Sequence, residues 1–382
     1  MKPILIYDSP ITSIGDTGDH AREVAEYICD HDSEYEIYFI DTPIPNTQSI
    51  LTMENEVVGN ILKKKMDSSQ IESVFAYIKL GEPNQFKEIG KYNIGVVTEI
   101  NTDDISEQDI EAYNKMDHII VPTDYHRDLI SPLINSKIST IPQCIHVHQS
   151  TISDISKLKS HINTIKEEFC FLYKGSWNPT SSQLSDKKNV ETLIRSFILA
   201  STRHKIKPGL ILKTETTNYS RSDYTKIHDT LSSILKDSHV TNPSIYLIHG
   251  HLTSNETKEL YKHPCIKATI STSRYESFSR SIFESALNST PVLTTDIPSI
   301  REYIDDPMFL VDGNKTENQN WIDIDTQKFS DKISDVIENY ETYKTGIEKV
   351  SKNLKISHTK KSIQAHYKEV IKSYIYKFIL IN

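Results

Sequence analysis

Short apolar runs rich in β-branched and aromatic residues alternate with longer segments of helical periodicity along almost the whole chain, and the series runs twice. The first half reads as strands at 3–7, 36–40, 75–80, 94–98, 118–121 and 138–142. The second half repeats the pattern at 169–174, 209–213, 245–248, 267–270, 291–294 and 308–311. Helical periodicity falls at 19–30, 105–115, 187–203, 221–236, 254–262, 280–288, 326–340 and 358–379. Strands alternating with helices build parallel sheet covered on both faces, so the pattern predicts an α/β protein of two doubly wound, Rossmann-like domains. The pivot is the polar stretch 147–165, which carries little periodic apolar content. Residues 1–150 make the first domain and 165–357 the second. Two such domains facing each other predict a ligand cleft at the carboxyl ends of their strands.

Hydrophobic content of 37% and charged content of 25% fit a soluble globular chain. The run Ile4-Leu5-Ile6-Tyr7-Asp8 turns acidic too soon for a signal peptide and reads as a buried strand. No stretch approaches the ~18 apolar residues of a membrane span. The cysteines Cys29, Cys144, Cys170 and Cys265 are far apart with no C-x-x-C pair, which predicts a reduced, cytoplasmic setting. The net charge of −9 is unevenly placed. Residues 1–150 hold 11 Lys and Arg against 25 Asp and Glu, the remainder 32 against 27. The second half therefore suits a phosphate-bearing ligand, and the first disfavours a nucleic-acid partner.

The densest chemistry lies between Arg274 and Ser299. Glu276 and Glu284 stand eight positions apart around the loop Ser277-Phe278-Ser279-Arg280-Ser281, which opens into a helix at Ile282. Ser289-Thr290-Pro291-Val292 then turns into a short strand. That order offers one carboxylate for sugar hydroxyls, a helix N-terminus for a diphosphate and a second carboxylate for a ribose diol. The serines keep the amides of 277–281 approachable, and Arg280 adds a charge. Taken alone, the two glutamates also read as solvent-facing residues of a loop and a helix; the strand before them and the helix after them favour the ligand.

This segment resembles the second domain of GT-B-fold glycosyltransferases, especially the retaining family 4, whose members carry S-x-x-E-G-F-G-x-x-x-x-E-A and then G-x-P-V. Ser273, Glu276, Phe278, Glu284, Ala286, Pro291 and Val292 match, while Ser277, Ser279 and Ser289 replace glycines and reduce backbone freedom. Phe169-Cys170-Phe171-Leu172-Tyr173-Lys174-Gly175-Ser176, followed by Lys187-Lys188-Asn189-Val190, is similar to the family's F-L-Y-V-G-R and K-G-V segments. In relatives an arginine and a lysine there grip the diphosphate; Lys188 holds the lysine position, and Ser176 stands where the arginine is common. Without the resemblance, Lys187 and Lys188 read as a solvated helix start, although lysines are unfavourable beside the positive end of a helix. Ile245–Glu256 is similar to the stretch lining the nucleobase pocket, which implicates His251 and Leu252, with Ser254 as a purely structural N-cap. Gly209–Thr214 resembles the strand that ends near the donor, with Lys213 its candidate. A metal pair of His249 and His251 lacks a third ligand.

The first domain is less legible. In the loop Ser9–Arg22, Gly15 and Gly18 suit the segment that relatives place over the sugar and phosphates; a plain turn with Asp19 as N-cap explains them as well. Glu99 ends a central strand and reads either as a group that orients or deprotonates an acceptor hydroxyl or as an ordinary loop carboxylate. Thr123 borders the same strand ends. Asp323-Ile324-Asp325 mimics a D-x-D metal motif, but Asp325 is more simply the N-cap of a helix at Gln327–Tyr340. His146-Val147-His148 lies at the hinge without a partner acid. The segment 358–382 is amphipathic and basic: the resemblance implies a last helix crossing back onto the first domain, and a membrane-surface anchor is the other reading.

The resemblance thus implies donor binding by Gly175, Lys188, Lys213, His251, Leu252, Ser277, Phe278, Ser279, Arg280, Ser281 and Glu284, with Gly15 and Gly18, and a catalytic part for Glu276 and Glu99. The implied reaction moves a sugar from a nucleoside diphosphate sugar, UDP- or GDP-linked, to a hydroxyl with retention of configuration and no metal or other cofactor. A nucleotide-sugar-binding protein with impaired catalysis, or an epimerase of the same fold, are the alternatives. A glycan, protein or small-molecule acceptor is expected before nucleic acid, with a hydroxylated base in viral DNA more remote, and no stable membrane insertion is expected.

Overall fold

A computed structural model describes residues 2–31, 33–45, 47, 49, 56–66, 73–100, 105–143, 145, 158, 162–179, 186–215, 220–240, 243–316 and 321–379. The expected hinge motif His146-Val147-His148 and most of the polar pivot fall outside them. The chain divides into two compact units, Met1–His146 with Ser357–Asn382, and Val147–Ile356.

In the first unit β1 (Ile4–Ser9), β2 (Glu36–Asp41), β3 (Val74–Gly81), β4 (Tyr92–Val97), β5 (His118–Val121) and β6 (Lys137–Thr140) form one parallel sheet in the order β2-β1-β3-β4-β5-β6. Every residue of β1 and β3 is buried. Strands covered on both faces read as near-continuous apolar runs, which is why they stand out in the sequence. The edge strand β6 instead exposes Lys137, a charge that discourages further pairing. The helices α1 (Asp16–Cys29), α2 (Glu56–Leu62), α3 (Glu107–Asn114) and α4 (Asp124–Ile130) connect these strands.

The second unit runs β7 (Cys170–Ser176), α5 (Val190–Ser201), β8 (Gly209–Glu215), α6 (Arg221–Asp237), β9 (Ser244–His249), α7 (Ser254–Lys262), β10 (Ile266–Ser271), α8 (Arg280–Leu287), β11 (Val292–Thr295), α9 (Pro298–Arg301) and β12 (Leu310–Val311). An antiparallel pair, β13 (Asn314–Lys315) and β14 (Ile322–Asp323), precedes α10 (Thr326–Glu338) and α11 (Tyr340–Ser357). Its parallel sheet has the order β12-β11-β10-β7-β8-β9. The order of connection reverses between β7 and β10, and an open sheet binds its ligand at such a switch point, beyond the carboxyl ends of the strands.

The last helix, α12 (Lys360–Ile379), returns to the first unit. Ile363, Tyr367, Val370, Ile371 and Tyr374 recur at helical spacing and are buried in one cluster with Leu5, Tyr7, Val24, Ala25 and Ile28. Burying side chains of this size is worth on the order of 1.5–3 kcal/mol each. Lys360 Nζ pairs with Glu26 at 2.7 Å, and Tyr374 Oη lies 3.2 Å from His118 Nδ1. The amphipathic stripe is therefore filled by protein. Among the described residues no helix is long and apolar enough to cross a membrane.

Three local readings are corrected. α1 begins at Asp16 with Gly15 as its cap at φ 107°, so Asp19 is no N-cap; it lies in the first turn and pairs with Arg22. The cap of α7 is Thr253 rather than Ser254, because Thr253 and Glu256 form a reciprocal capping box. The helix α11 was not expected, although Tyr343, Ile347, Val350 and Leu354 recur at helical spacing; threonines, serines and a glycine dilute its propensity. Asp325 caps α10 by accepting the Lys328 amide, as its position suggests.

Candidate active site

The site is assembled by two loops that leave the switch point. The segment 272–279, between β10 and α8, is buried throughout. Its Arg274 amide donates to Lys187 O at 2.8 Å, and the Arg274 guanidinium donates to Asp186 O at 2.8 Å and to Asp323 Oδ1 at 2.9 Å. Asp323 also accepts from Asn189 Nδ2 at 3.1 Å, and Thr272 Oγ1 donates to Asn189 O at 2.8 Å. The D-x-D look-alike thus ends as a tie between the two loops. Asn189 itself takes the left-handed conformation, φ 50°, that asparagine tolerates. This stitching brings the start of α5 against the loop after β10.

Both motif carboxylates meet a lysine there. Lys188 Nζ lies 2.5 Å from Glu276 Oε1, and Lys174 Nζ lies 2.9 Å from Glu284 Oε2. The Glu276 and Glu284 side chains are 6% and 11% exposed, and the paired ammonium offsets the cost of burying each carboxylate. The single Tyr261 Oη proton is shared between Glu284 Oε2 at 3.1 Å and Ser281 O at 3.0 Å. Ser299 Oγ donates to Glu276 O and fixes the loop from the other side.

Between the carboxylates, α8 starts at an N-cap, Ser279, whose side chain makes no capping bond. A helix end of this kind presents amides and a partial positive charge suited to an anion. The Ser279 amide donates to Tyr303 Oη at 3.2 Å. Phe278 packs at a tilt against Phe283 and Tyr303, each at 5.1 Å between centroids, so its ring belongs to the core and only its backbone borders the loop. Arg280 and Ser277 are buried and Ser281 is half-buried. Of the serines that replace glycine, only Ser289 adopts a positive φ, 55°; the backbone at 277 and 279 does not require glycine.

Further along the same edge, Lys213 stands in register with Lys174, is fully buried and pairs with Glu215. Thr214 Oγ1 and His249 Nδ1 are 2.9 Å apart, and burial together with the Lys213 charge holds the His249 pKa below its usual value. Beyond β9, His251 is exposed and Leu252 half-buried. Gly175 is followed by Ser176, whose carbonyl accepts from Tyr173 Oη at 2.7 Å. Burial, and then the nearby Asp186, Glu276 and Glu215 carboxylates, raise the Tyr173 pKa and keep it a donor.

In the first unit, Gly18 lets the Ser13 carbonyl approach: a Cβ there would lie 1.8 Å from Ser13 O. A Cβ on Gly15 would meet nothing within 4 Å. Glu99 is exposed two residues past β4, and Thr123 caps α4. The sequence reading missed a buried cluster at this sheet's own switch point. Asp8 Oδ1 accepts from Lys79 Nζ at 2.7 Å and from Thr42 Oγ1 at 2.6 Å, and Asp8 Oδ2 accepts from Tyr77 Oη at 2.8 Å. It also missed Lys174 and Tyr261. A usable signal existed: Lys79, Lys174 and Lys213 each interrupt an apolar strand near its carboxyl end. Among the described residues, no group of three or more His, Cys, Asp or Glu side chains gathers in a way that could hold a metal.

Two six-stranded parallel sheets in separate units, with the last helix returned to the first, define a protein of the GT-B fold. Residues 241–353, in the second unit, match the family model described as glycosyl transferases group 1. Comparison with curated proteins by sequence gives no match. Among solved structures, sucrose-phosphate synthase from Thermosynechococcus elongatus is 10% identical, with a TM-score of 0.70 over 99% of this chain and 100% of that one. HepE of Anabaena, solved with UDP and glucose, is 11% identical, with a TM-score of 0.64 over 97% and 99%. A TarM variant of S. aureus, solved with fondaparinux, α-GlcNAc-glycerol and UDP, is 17% identical, with a TM-score of 0.53 over 77% of this chain. The chain spans 55% of the TarM chain. These likenesses are of fold.

Proposed function

We propose that the chain transfers a sugar from a nucleoside diphosphate sugar to a hydroxyl with retention of configuration, the donor being held by the second unit. The observation that carries this reading is the pairing of Glu276 with Lys188 and of Glu284 with Lys174 around the α8 N-terminus. The diphosphate lies against the α8 amides and takes the two ammonium groups, freeing Glu284 for ribose hydroxyls and Glu276 for sugar hydroxyls. As the glycosidic bond breaks, charge builds on the leaving phosphate. Amides and cations already fixed in place stabilise that charge more than they stabilise the ground state. The departing phosphate assists the incoming hydroxyl, and no metal is required. Lys213, His251, Leu252, Gly175 and the 277–281 loop complete the donor side; Gly15, Gly18 and Glu99 are assigned to the first unit's share.

HepE and the TarM variant were solved with UDP, which makes a uridine donor the first to test, with GDP-sugars next. The acidic first unit favours a neutral or cationic glycan, protein or small-molecule acceptor over nucleic acid. A second reading, binding without turnover, is favoured by Ser176 in place of an arginine and by Ser289 held at φ 55°. A thermal-shift screen of uridine, guanosine and adenosine diphosphate sugars, followed by incubation with labelled donor, separates the two. At a ligand concentration ~100 times Kd the expected stabilisation is about 2.7 kcal/mol. Transfer or donor hydrolysis supports the enzyme, and stabilisation without turnover supports the binding protein. The absence of stabilisation by any of these donors rejects both.

A further inference from the structure

At the opposite, amino-terminal end of the β7–β10 seam, Cys170 and Cys265 are buried in the same cluster as Leu172, Ile211, Leu260 and Tyr261. Cys170 is the first residue of β7, and Cys265 lies in the tight turn that leads from α7 into β10. The Cys170 amide donates to Cys265 O at 2.7 Å, which locks the two backbones together. Pairing of β10 with β7 sets Ile266 opposite Cys170 and shifts register just after it, so Cys265 stands beside Cys170 at the strand starts and both side chains enter that one cluster. His263 Nδ1 lies 2.9 Å from Cys265 Sγ. Cys170 is fully buried and its thiol also faces Glu167 O at 3.5 Å, whereas Cys265 is 8% exposed.

We propose that Cys265 is a peroxide-reactive thiol, activated by His263, and that Cys170 resolves its oxidation as an intramolecular disulfide. The Cys170 thiol and then the His263 ring, working against burial, lower the Cys265 thiol from its ordinary range, which favours the thiolate that attacks peroxide. In contrast, the same contact and burial push the Cys170 thiol well up, as a resolving group that reacts only once its neighbour has been oxidised. The Cys265 thiolate attacks one peroxide oxygen; the O–O bond breaks, hydroxide leaves and takes up a proton as water, and Cys265 becomes a sulfenic acid. The Cys170 sulfur then attacks the Cys265 sulfur, the S–O bond breaks, and the Cys170 proton leaves with hydroxide as a second water. Two thiols and one hydrogen peroxide give one disulfide and two waters. A thiol such as glutathione or dithiothreitol reverses the bridge by exchange.

The test uses the full chain, hydrogen peroxide as oxidant, maleimide capping of the remaining thiols, and peptide mapping by mass spectrometry. The expected result is loss of two hydrogens confined to a linked Cys170–Cys265 peptide, restored by dithiothreitol, with Cys29 and Cys144 still capped. Cys170→Ser should leave a sulfenic acid at Cys265 that a dimedone probe traps, and His263→Asn should slow the reaction about tenfold. Circular dichroism of each variant checks that it is folded. Oxidation of Cys265 no faster than in the urea-unfolded chain, or a bridge to Cys29 or Cys144 instead, overturns the proposal. No nucleotide enters the assay, so its outcome is independent of the donor-binding reading.

Discussion

Replacing Lys174 by methionine separates a phosphate-binding lysine from one that only neutralises a buried acid. The Lys174 and Glu284 side chains are 8% and 11% exposed and their charged atoms are 2.9 Å apart. At an effective dielectric of about 20, two unit charges at that separation attract by about 6 kcal/mol before desolvation is subtracted. Breaking such a pair from one side typically costs about 3–5 kcal/mol, because the remaining charge is left buried. After Lys174→Met, Glu284 keeps the Tyr261 hydroxyl at 3.1 Å, so the lower end, about 3 kcal/mol, is expected for the second unit. Adding Glu284→Gln removes the stranded charge and should recover about 1–3 kcal/mol of that loss.

Binding makes the sharper test. If Lys174 moves to the diphosphate, the variant loses a charge-assisted bond worth about 1.5–3 kcal/mol. That is a weakening of UDP by about 10- to 150-fold in Kd. Uridine has no phosphate and should change by less than about threefold. Calorimetric titration of UDP and uridine against the wild-type chain and the folded variant gives both numbers, with GDP and guanosine as the parallel pair. Equal weakening of nucleotide and nucleoside, or no weakening of either, refutes the assignment of Lys174 to the phosphates.

Other outcomes follow from the same geometry. Glu276→Gln frees Lys188, so UDP should bind no more weakly by calorimetry, while turnover of the donor falls by about 100-fold in a transfer or hydrolysis assay. His118, buried beside Tyr374 with Lys137 nearby, has its pKa held down at about 4. The unfolded chain therefore takes up this proton first, and between pH 6.5 and about 4 the first unit should lose about 3 kcal/mol as pH falls. Amide-exchange protection of α12 measured across that window should flatten in His118→Gln relative to wild type. Ser289→Gly relieves a left-handed serine at φ 55°, and against the extra freedom of unfolded glycine a gain of about 0.5 kcal/mol remains. A thermal melt should show a small rise with UDP affinity unchanged.

The strands were legible because they are buried on both faces. Ile4–Tyr7, Phe75–Ile78 and Phe171–Tyr173 have no polar alternation to blur, and each strand of the two large sheets ends within two residues of its apolar run. Short helices such as Asp124–Ile130 span too little sequence for a period to emerge, and Tyr340–Ser357 was hidden by weak helix formers. At the site, Glu276 and Glu284 were visible because a loop motif carries them at fixed spacing. Their partners were not, since Lys174 and Tyr261 come from β7 and α7, 110 and 23 positions from Glu284, and only the parallel sheet brings them together.

The buried lysines show why those partners matter. Lys79, Lys174 and Lys213 lie on β3, β7 and β8, and each ends on a carboxylate: Asp8, Glu284 and Glu215. A buried ion pair adds little to stability, because well-packed apolar residues of the same volume usually do as well or better. Stability is thus a weak reason for three buried lysines in otherwise apolar strands. An exchangeable charge is a better one. A lysine stem can run along the apolar strand and deliver its ammonium to the carboxyl edge, where it satisfies an acid and can pass to an incoming anion while hydroxyls take the acid. On that argument the second unit's pairs match a donor that brings phosphates and diols together. Asp8 and Lys79, at the switch point of the first unit, form a buried pair of the same plan.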